Sequence, residues 1–295
     1  MMASGRVRGM VALAALIAAG MLVLGAAGAL AADRDFTLRV ENKRIDIGSG
    51  LSYDAWTYGG TVPGPLLRAT VGDKVTVHLV NDTEMAHGLD IHAAGVAPSK
   101  HFAAVAPKTG LNYSFVAEVP GAFMYHCSAA PMLNHIANGM YGMMIVDPKG
   151  RWPAAHEVTI EQGEYYGDPD KNGVVSGDSK RMMDERPDFV VFNGKLEQYV
   201  EHPIQIKVGE LVRIFFVNAG PNRLSTFHVV GTILSAVYRS GNPANALHDV
   251  QSFEVGPGDG AIFEFRVHEA GDYPFVDHAI ARAYKGAIGM FHAVP

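Results

Sequence analysis

Hydrophobic and polar residues alternate along much of this chain. Val75, Val77 and Leu79 interleave with Lys74, Thr76 and His78, which predicts a half-buried strand. Val212, Ile214 and Phe216 interleave with Arg213 and Phe215 in the same way. Many short β-rich runs of this kind are separated by Gly, Pro, Asn and Asp. A helical period is weak throughout, and only residues 98–104 and 277–284 suggest short helices. The polar segment 168–188, with its Asp, Gly, Ser and Pro, reads as a surface loop of the second half.

The pattern repeats. Val71-Gly72-Asp73-x-Val75-x-Val77-x-x-Val80-Asn81 matches Val208-Gly209-Glu210-x-Val212-x-Ile214-x-x-Val217-Asn218, at an offset of 137 residues. Gly121 to His126 and Gly142 to Val146 similarly resemble Gly271 to His278 and Gly286 to His292. Two strand-rich units of this size predict an all-β chain of two tandem β-sandwiches, at 33–150 and 151–295, joined near 148–153.

The N-terminus departs from this pattern. Arg6 and Arg8 precede an uncharged apolar run over 10–30, and Ala29-Leu30-Ala31 has the small-x-small form of a signal peptidase site. Residues 1–31 are therefore expected to be a signal peptide, with a periplasmic or otherwise exported product; an uncleaved anchor is the alternative, since the run approaches the ~20 residues of a spanning helix. No later run is long and apolar enough for that, so no membrane association is expected after cleavage.

Composition narrows the chemistry. With 48% hydrophobic residues among 295, the chain can build substantial cores. Its net charge of −6 and lack of a basic block argue against nucleic-acid binding. A single cysteine, Cys127, excludes an internal disulfide, and it stands beside 13 histidines.

Cys127, His135 and Met140 offer a thiolate, an imidazole and a thioether in the pattern Cys-x7-His-x4-Met, and His87 supplies a second imidazole. Two His and one Cys with a distant Met is the ligand set of a type 1, blue-copper centre. A structural zinc site would call for four strong ligands, usually with paired cysteines. On a strand, His126 and Cys127 face opposite ways. By the same parity His87 and His92 separate if extended, so His87 joins Cys127 while His92 joins His126, with Asp90 on the His92 side. Two metal sites back to back follow, linked by one peptide bond. His278, in Phe275-Val276-Asp277-His278, lies where the repeat expects the His-Cys corner and is a candidate third imidazole; an open fourth position would admit a substrate. His228 is a candidate proton donor. His78, His101, His156, His202, His248, His268 and His292 have no ligand-like neighbours and read as surface or hydrogen-bonded histidines.

Over nearly all of the chain beyond residue 31, these motifs resemble the two-domain copper-containing nitrite reductases. The resemblance implies two cupredoxin domains, a homotrimer, and one type 1 and one type 2 copper per subunit. It implies His87, Cys127, His135 and Met140 at type 1 copper, and His92, His126 and a neighbouring subunit's His278 at type 2 copper. Asp90 and His228 would be the catalytic pair, and Val230 falls where many members place isoleucine over the substrate. Nitrite is the implied substrate, reduced by one electron that enters at type 1 copper and crosses the His126–Cys127 link. A cytochrome c or cupredoxin is the implied donor. Asn134 stands where the best-known members have tryptophan, and the Cys127-to-His135 spacing is one residue shorter. A laccase-like multicopper oxidase would require paired His-x-His motifs, and Ser128 breaks the His-Cys-His pattern. A cupredoxin electron carrier would leave Asp90, His92, His126 and His278 without a role.

Overall fold

The computed structural model describes residues 31–150 and 152–295, so the expected signal peptide lies, except for Ala31, outside the described residues. Among the described residues no helix is long and apolar enough to cross a membrane.

The first alternating run forms the strand Lys74–Asn81, with Val75, Val77 and Leu79 buried and Thr76 and His78 turned outward. It pairs in parallel with Asp33–Gly48 and antiparallel with Gly110–Val116. With Leu51–Tyr58 and Val174–Val175 these make a five-stranded sheet. The facing sheet has four strands: Leu67–Thr70, Tyr141–Asp147, Gly121–His126 and Asp90–Ile91. Between them lies a core of Leu38, Val40, Val75, Val77, Leu79, Ile91, Tyr125 and Met144, into which Cys127 and Met140 also point. The second sandwich packs a six-stranded sheet against a five-stranded one around Phe216, Phe227, Phe263, Phe275 and Phe291. The chain is thus all-β with two tandem cupredoxin-like sandwiches.

The repeat has a physical basis. Asn81 and Asn218 are both fully buried at equivalent strand ends. Asn81 donates to the Met85 and Val105 carbonyls at 2.8 and 3.1 Å, and Asn218 to those of Arg223 and Val255 at 2.8 and 2.9 Å. In each unit one amide ties a strand to two loops, and buried loop carbonyls need such partners. The preceding glycines, Gly72 and Gly209, have positive φ and donate to the Ala117 and Val267 carbonyls.

Two expectations from patterning change. Val212–Gly220 is not half-buried: every residue in it is buried. Its second face, with Phe215, Val217 and Ala219, joins a third apolar cluster shared with Tyr53, Met124, Tyr141, Met143 and Ile145 of the first sandwich. Arg213 is enclosed too, donating to Glu264 at 2.7 Å and to the Pro153 carbonyl at 3.0 Å, with its guanidinium over Trp152. The sandwiches pack broadly enough to cover a strand on both faces, as in buried sheets. Nor is 168–188 merely a surface loop. Val174–Val175 adds to the first sandwich's sheet beside Ser52 and Tyr53. The helix Ser179–Met183, capped by the Asp178 carboxylate, then buries Met182 against Ala137 and Tyr166. The few apolar residues of this polar stretch find partners in the other unit.

The expected short helices occur as Pro98–His101 and Ile280–Ala283. A further one, Met132–Ala137, was not apparent from periodicity, being under two turns long.

Candidate metal centres

Three elements converge on Cys127. The strand Gly121–His126 ends one residue before it, and the Cys127 amide donates to the Met140 carbonyl at 3.1 Å. The helix Met132–Ala137 brings in His135, and the Met140 amide bonds the His135 carbonyl at 3.1 Å. His87 is held by two backbone bonds with Val105, the residue whose carbonyl Asn81 ties down. The Cys127 sulfur lies 3.2 Å from His135 Nδ1 and 3.8 Å from His87 Nδ1, and those two nitrogens are 3.2 Å apart. All three residues are buried, and Met140 is fully buried in the same apolar core.

Burial decides their charge. It pushes His87 down to about 4, with a smaller contribution from the nearby His135, and lowers His135 too. Both imidazoles are therefore neutral, the form that binds metals. Burial raises the Cys127 thiol, against opposing hydrogen bonds from the Ala129 and Gly88 amides. A cation among the three would reverse that and draw out the thiolate. Trp56 closes the cluster, its ring 4.9 Å from His135 and 6.1 Å from His87 between centroids. Nothing in the spacing singles Trp56 out, because the strand Leu51–Tyr58 that carries it is distant in the chain from both histidines.

On the other side of the His126–Cys127 peptide lies the second cluster. Asp90 pairs directly with His126 across the sheet. One ligand-type atom each from Asp90, His92 and His126 lies within 4.8 Å of the other two. His126 Nδ1 is 3.0 Å from the Cys127 carbonyl, and His92 Nδ1 is 2.9 Å from the Gly258 carbonyl. A carbonyl only accepts, so each Nδ1 carries the proton and each Nε2 presents a lone pair. Those two Nε2 atoms are 3.1 Å apart. Two lone pairs cannot hydrogen-bond to each other, whereas a cation satisfies both. Burial lowers the pKa of His126, which again favours the neutral ring.

Parity thus assigns the sides correctly but for an incomplete reason. Only Asp90–Ile91 is strand, and His87 sits outside it at an isolated bridge to Val105. The support of His92 by Gly258 was not foreseen. Gly258, with φ of +81°, belongs to a turn of the second sandwich that Asn218 holds through backbone bonds to Gly258 and Asp259.

The third grouping is separate. The strand Ser225–Val229 pairs with Gly271–Asp277, placing the His228 and His278 rings 5.4 Å apart between centroids. They line a cleft of about 390 Å³ with Thr226, Gln251, Ser252 and Ala279. His228 Nδ1 donates to the Gln251 carbonyl, leaving Nε2 free. Asp277, fully buried, anchors the turn that presents His278, accepting from Gln162, Arg282, Thr226 and Ala279. Val230 is exposed two residues beyond His228. His278 is not part of the Asp90, His92, His126 cluster among the described residues of one chain. His78, His248 and His292 each have a surface oxygen partner, in keeping with the reading of them as hydrogen-bonded.

Residues 39–151 match the family model for multicopper oxidase. The copper-containing nitrite reductase of Neisseria gonorrhoeae is 38% identical over 274 residues, covering 88% of this chain and 70% of that protein. The chain belongs to the copper-containing nitrite reductase family. Solved structures agree. The copper nitrite reductase of Nitrosomonas europaea is 39% identical with a TM-score of 0.83, covering 89% of this chain and 94% of that one. A copper-containing nitrite reductase from Thermus scotoductus is 34% identical, also with a TM-score of 0.83, over 89% of this chain and 62% of that one. For a member of this family, two imidazole clusters on either side of one peptide bond are a natural place for copper.

Proposed function

We propose that this chain reduces nitrite by one electron to nitric oxide and water, using two copper ions per subunit. The observation that carries the reading is the pair of clusters back to back across the His126–Cys127 bond. The first set fits copper by its donor chemistry: one thiol, two imidazole Nδ1 atoms and a buried thioether, enclosed by apolar residues. The second fits by its facing Nε2 lone pairs. His87, Cys127, His135 and Met140 would hold type 1 copper, and His92, His126 and His278 type 2 copper. Bound there, copper would supply one-electron redox chemistry and a Lewis-acid position for an anion.

The chain's own residues do the rest. Nitrite takes up one electron and two protons, one N–O bond breaks, and that oxygen leaves as water. Asp90, half-buried with a carboxylate oxygen 3.9 Å from His126 Nε2, and His228 are the proton donors we assign. Val230 would shape the substrate's approach. Because the half-buried His228 and the exposed His278 pair apart from His92 and His126, we assign them to a neighbour's site in a homotrimer. A head-to-tail ring brings two different patches of each chain together at every interface.

The electron donor is assigned as a small cytochrome c or cupredoxin. The protein is assigned to the periplasm or another exported compartment, on residues 1–31, and its units divide at 150/151. A carrier would need only the first cluster, and an oxidase would need a third copper set. The test is copper-loaded protein supplied with nitrite and an electron donor. Two coppers per chain and stoichiometric nitric oxide are expected; one copper per chain, or nitrite left unconsumed, refutes the reading.

A further inference from the structure

The Cys127 sulfur accepts a hydrogen bond from the Gly88 amide at 3.3 Å. Gly88 follows His87 directly, so its backbone serves two members of the first cluster. Its Cα faces the Ser128 side chain closely: a Cβ there would stand 2.3 Å from the Ser128 hydroxyl oxygen, which would have to turn away. Glycine is also the least restrained residue in the backbone. An N–H aimed at the sulfur from such a residue stays aimed only if something outside holds it.

Tyr58 does so. Its phenol is fully buried, and its hydroxyl donates to the Gly88 carbonyl at 2.6 Å. The ring is itself fixed, packed 5.6 Å from that of Tyr125, whose hydroxyl is tied to the Pro65 carbonyl at 2.7 Å. We infer that Tyr58 is a positioning residue of the Cys127 centre: by pinning Gly88 it fixes the N–H···S bond and so sets the centre's reduction potential. A donor on the cysteine sulfur withdraws negative charge from it. That favours the lower oxidation state of a bound metal and raises the potential.

The inference rests on the copper assignment of the first cluster, and its test separates the two. In full-length Tyr58→Phe only the hydroxyl is removed. Copper content should match the parent, and the midpoint potential, read by redox titration of the thiolate absorption band, should fall. In the copper-free protein, hydrogen exchange of the Gly88 amide should quicken roughly tenfold, the factor for one typical hydrogen bond. A second protein carrying 3-fluorotyrosine at position 58, a stronger donor, should shift the potential upward and slow the exchange. It decides the matter should Tyr58→Phe misfold. Parental exchange and parental potential in either protein overturn the inference. A parent without copper or the band overturns the copper assignment instead, and Gly88 exchange still reads whether Tyr58 holds it.

Discussion

Proton placement on individual imidazoles shapes the second cluster. His126 Nδ1 bonds its neighbour's carbonyl and His92 Nδ1 bonds Gly258, which turns both Nε2 atoms inward. Asp90 shares that cluster yet is not among the proposed copper ligands. Asp90→Asn should therefore keep both coppers while lowering turnover by roughly 10²–10⁴, the range for general acid catalysis. Metal analysis with steady-state kinetics across pH checks this, and near-normal activity at every pH would remove Asp90 from proton delivery. Cys127→Ser should abolish the intense visible absorption and leave the second copper in place, as electron paramagnetic resonance would register. Loss of both copper signals would mean that the two sites are not independent.

Short elements hold the centres, and neighbours hold the elements. The helix Met132–Ala137 is too short to be stable alone. It leans on Tyr166 and Met182 from the other sandwich, and Asn134 donates to the Ser179 hydroxyl at 2.8 Å. These contacts differ in weight. Met182→Ala should destabilise by about 2–5 kcal/mol, the usual cost of truncating a buried methionine. Asn134→Ala removes an exposed hydrogen bond and should cost under about 1 kcal/mol. Denaturant unfolding of both variants would rank them, and parental stability of Met182→Ala would show that the helix does not depend on the 168–188 segment.

Between the sandwiches lies Glu161, buried with its Oε2 unpartnered. Burial pushes its carboxyl up to about 8, against a hydrogen bond from the Met143 amide. The sign follows from proton counts. Between about 4.5 and 8 the folded chain keeps a proton that the unfolded chain releases, so stability falls as pH rises through that window. Glu161→Gln should flatten this dependence, gaining a few kcal/mol near pH 8 and little near pH 4. Unfolding at the two pH values measures it, and parallel pH profiles for parent and variant would contradict it. At the level of the assembly, His92→Ala and His278→Ala should each be inactive. Dissociated, mixed and reassembled, they should recover partial nitrite reduction, because some interfaces then pair an intact His278 with an intact His92 and His126. No recovery in mixed assemblies verified by mass would place the whole site within one chain.

Much of this was legible in sequence because it depends on local spacing. Period-two alternation set the faces of Lys74–Asn81, the repeat set two sandwiches, and the adjacency of His126 and Cys127 forced two clusters onto opposite sides. Side-chain direction along a strand is a property of the backbone, so it can be read without knowing the partners. What packs against those faces cannot. The burial of Arg213 and Phe215, the crossing of Val174–Val175 into the other unit, and the support of His92 by Gly258 and of Gly88 by Tyr58 all join residues distant in the chain. No local period encodes such contacts. They exist only once two sandwiches share a core, because a buried polar group must take its partner from whichever segment the fold brings within reach.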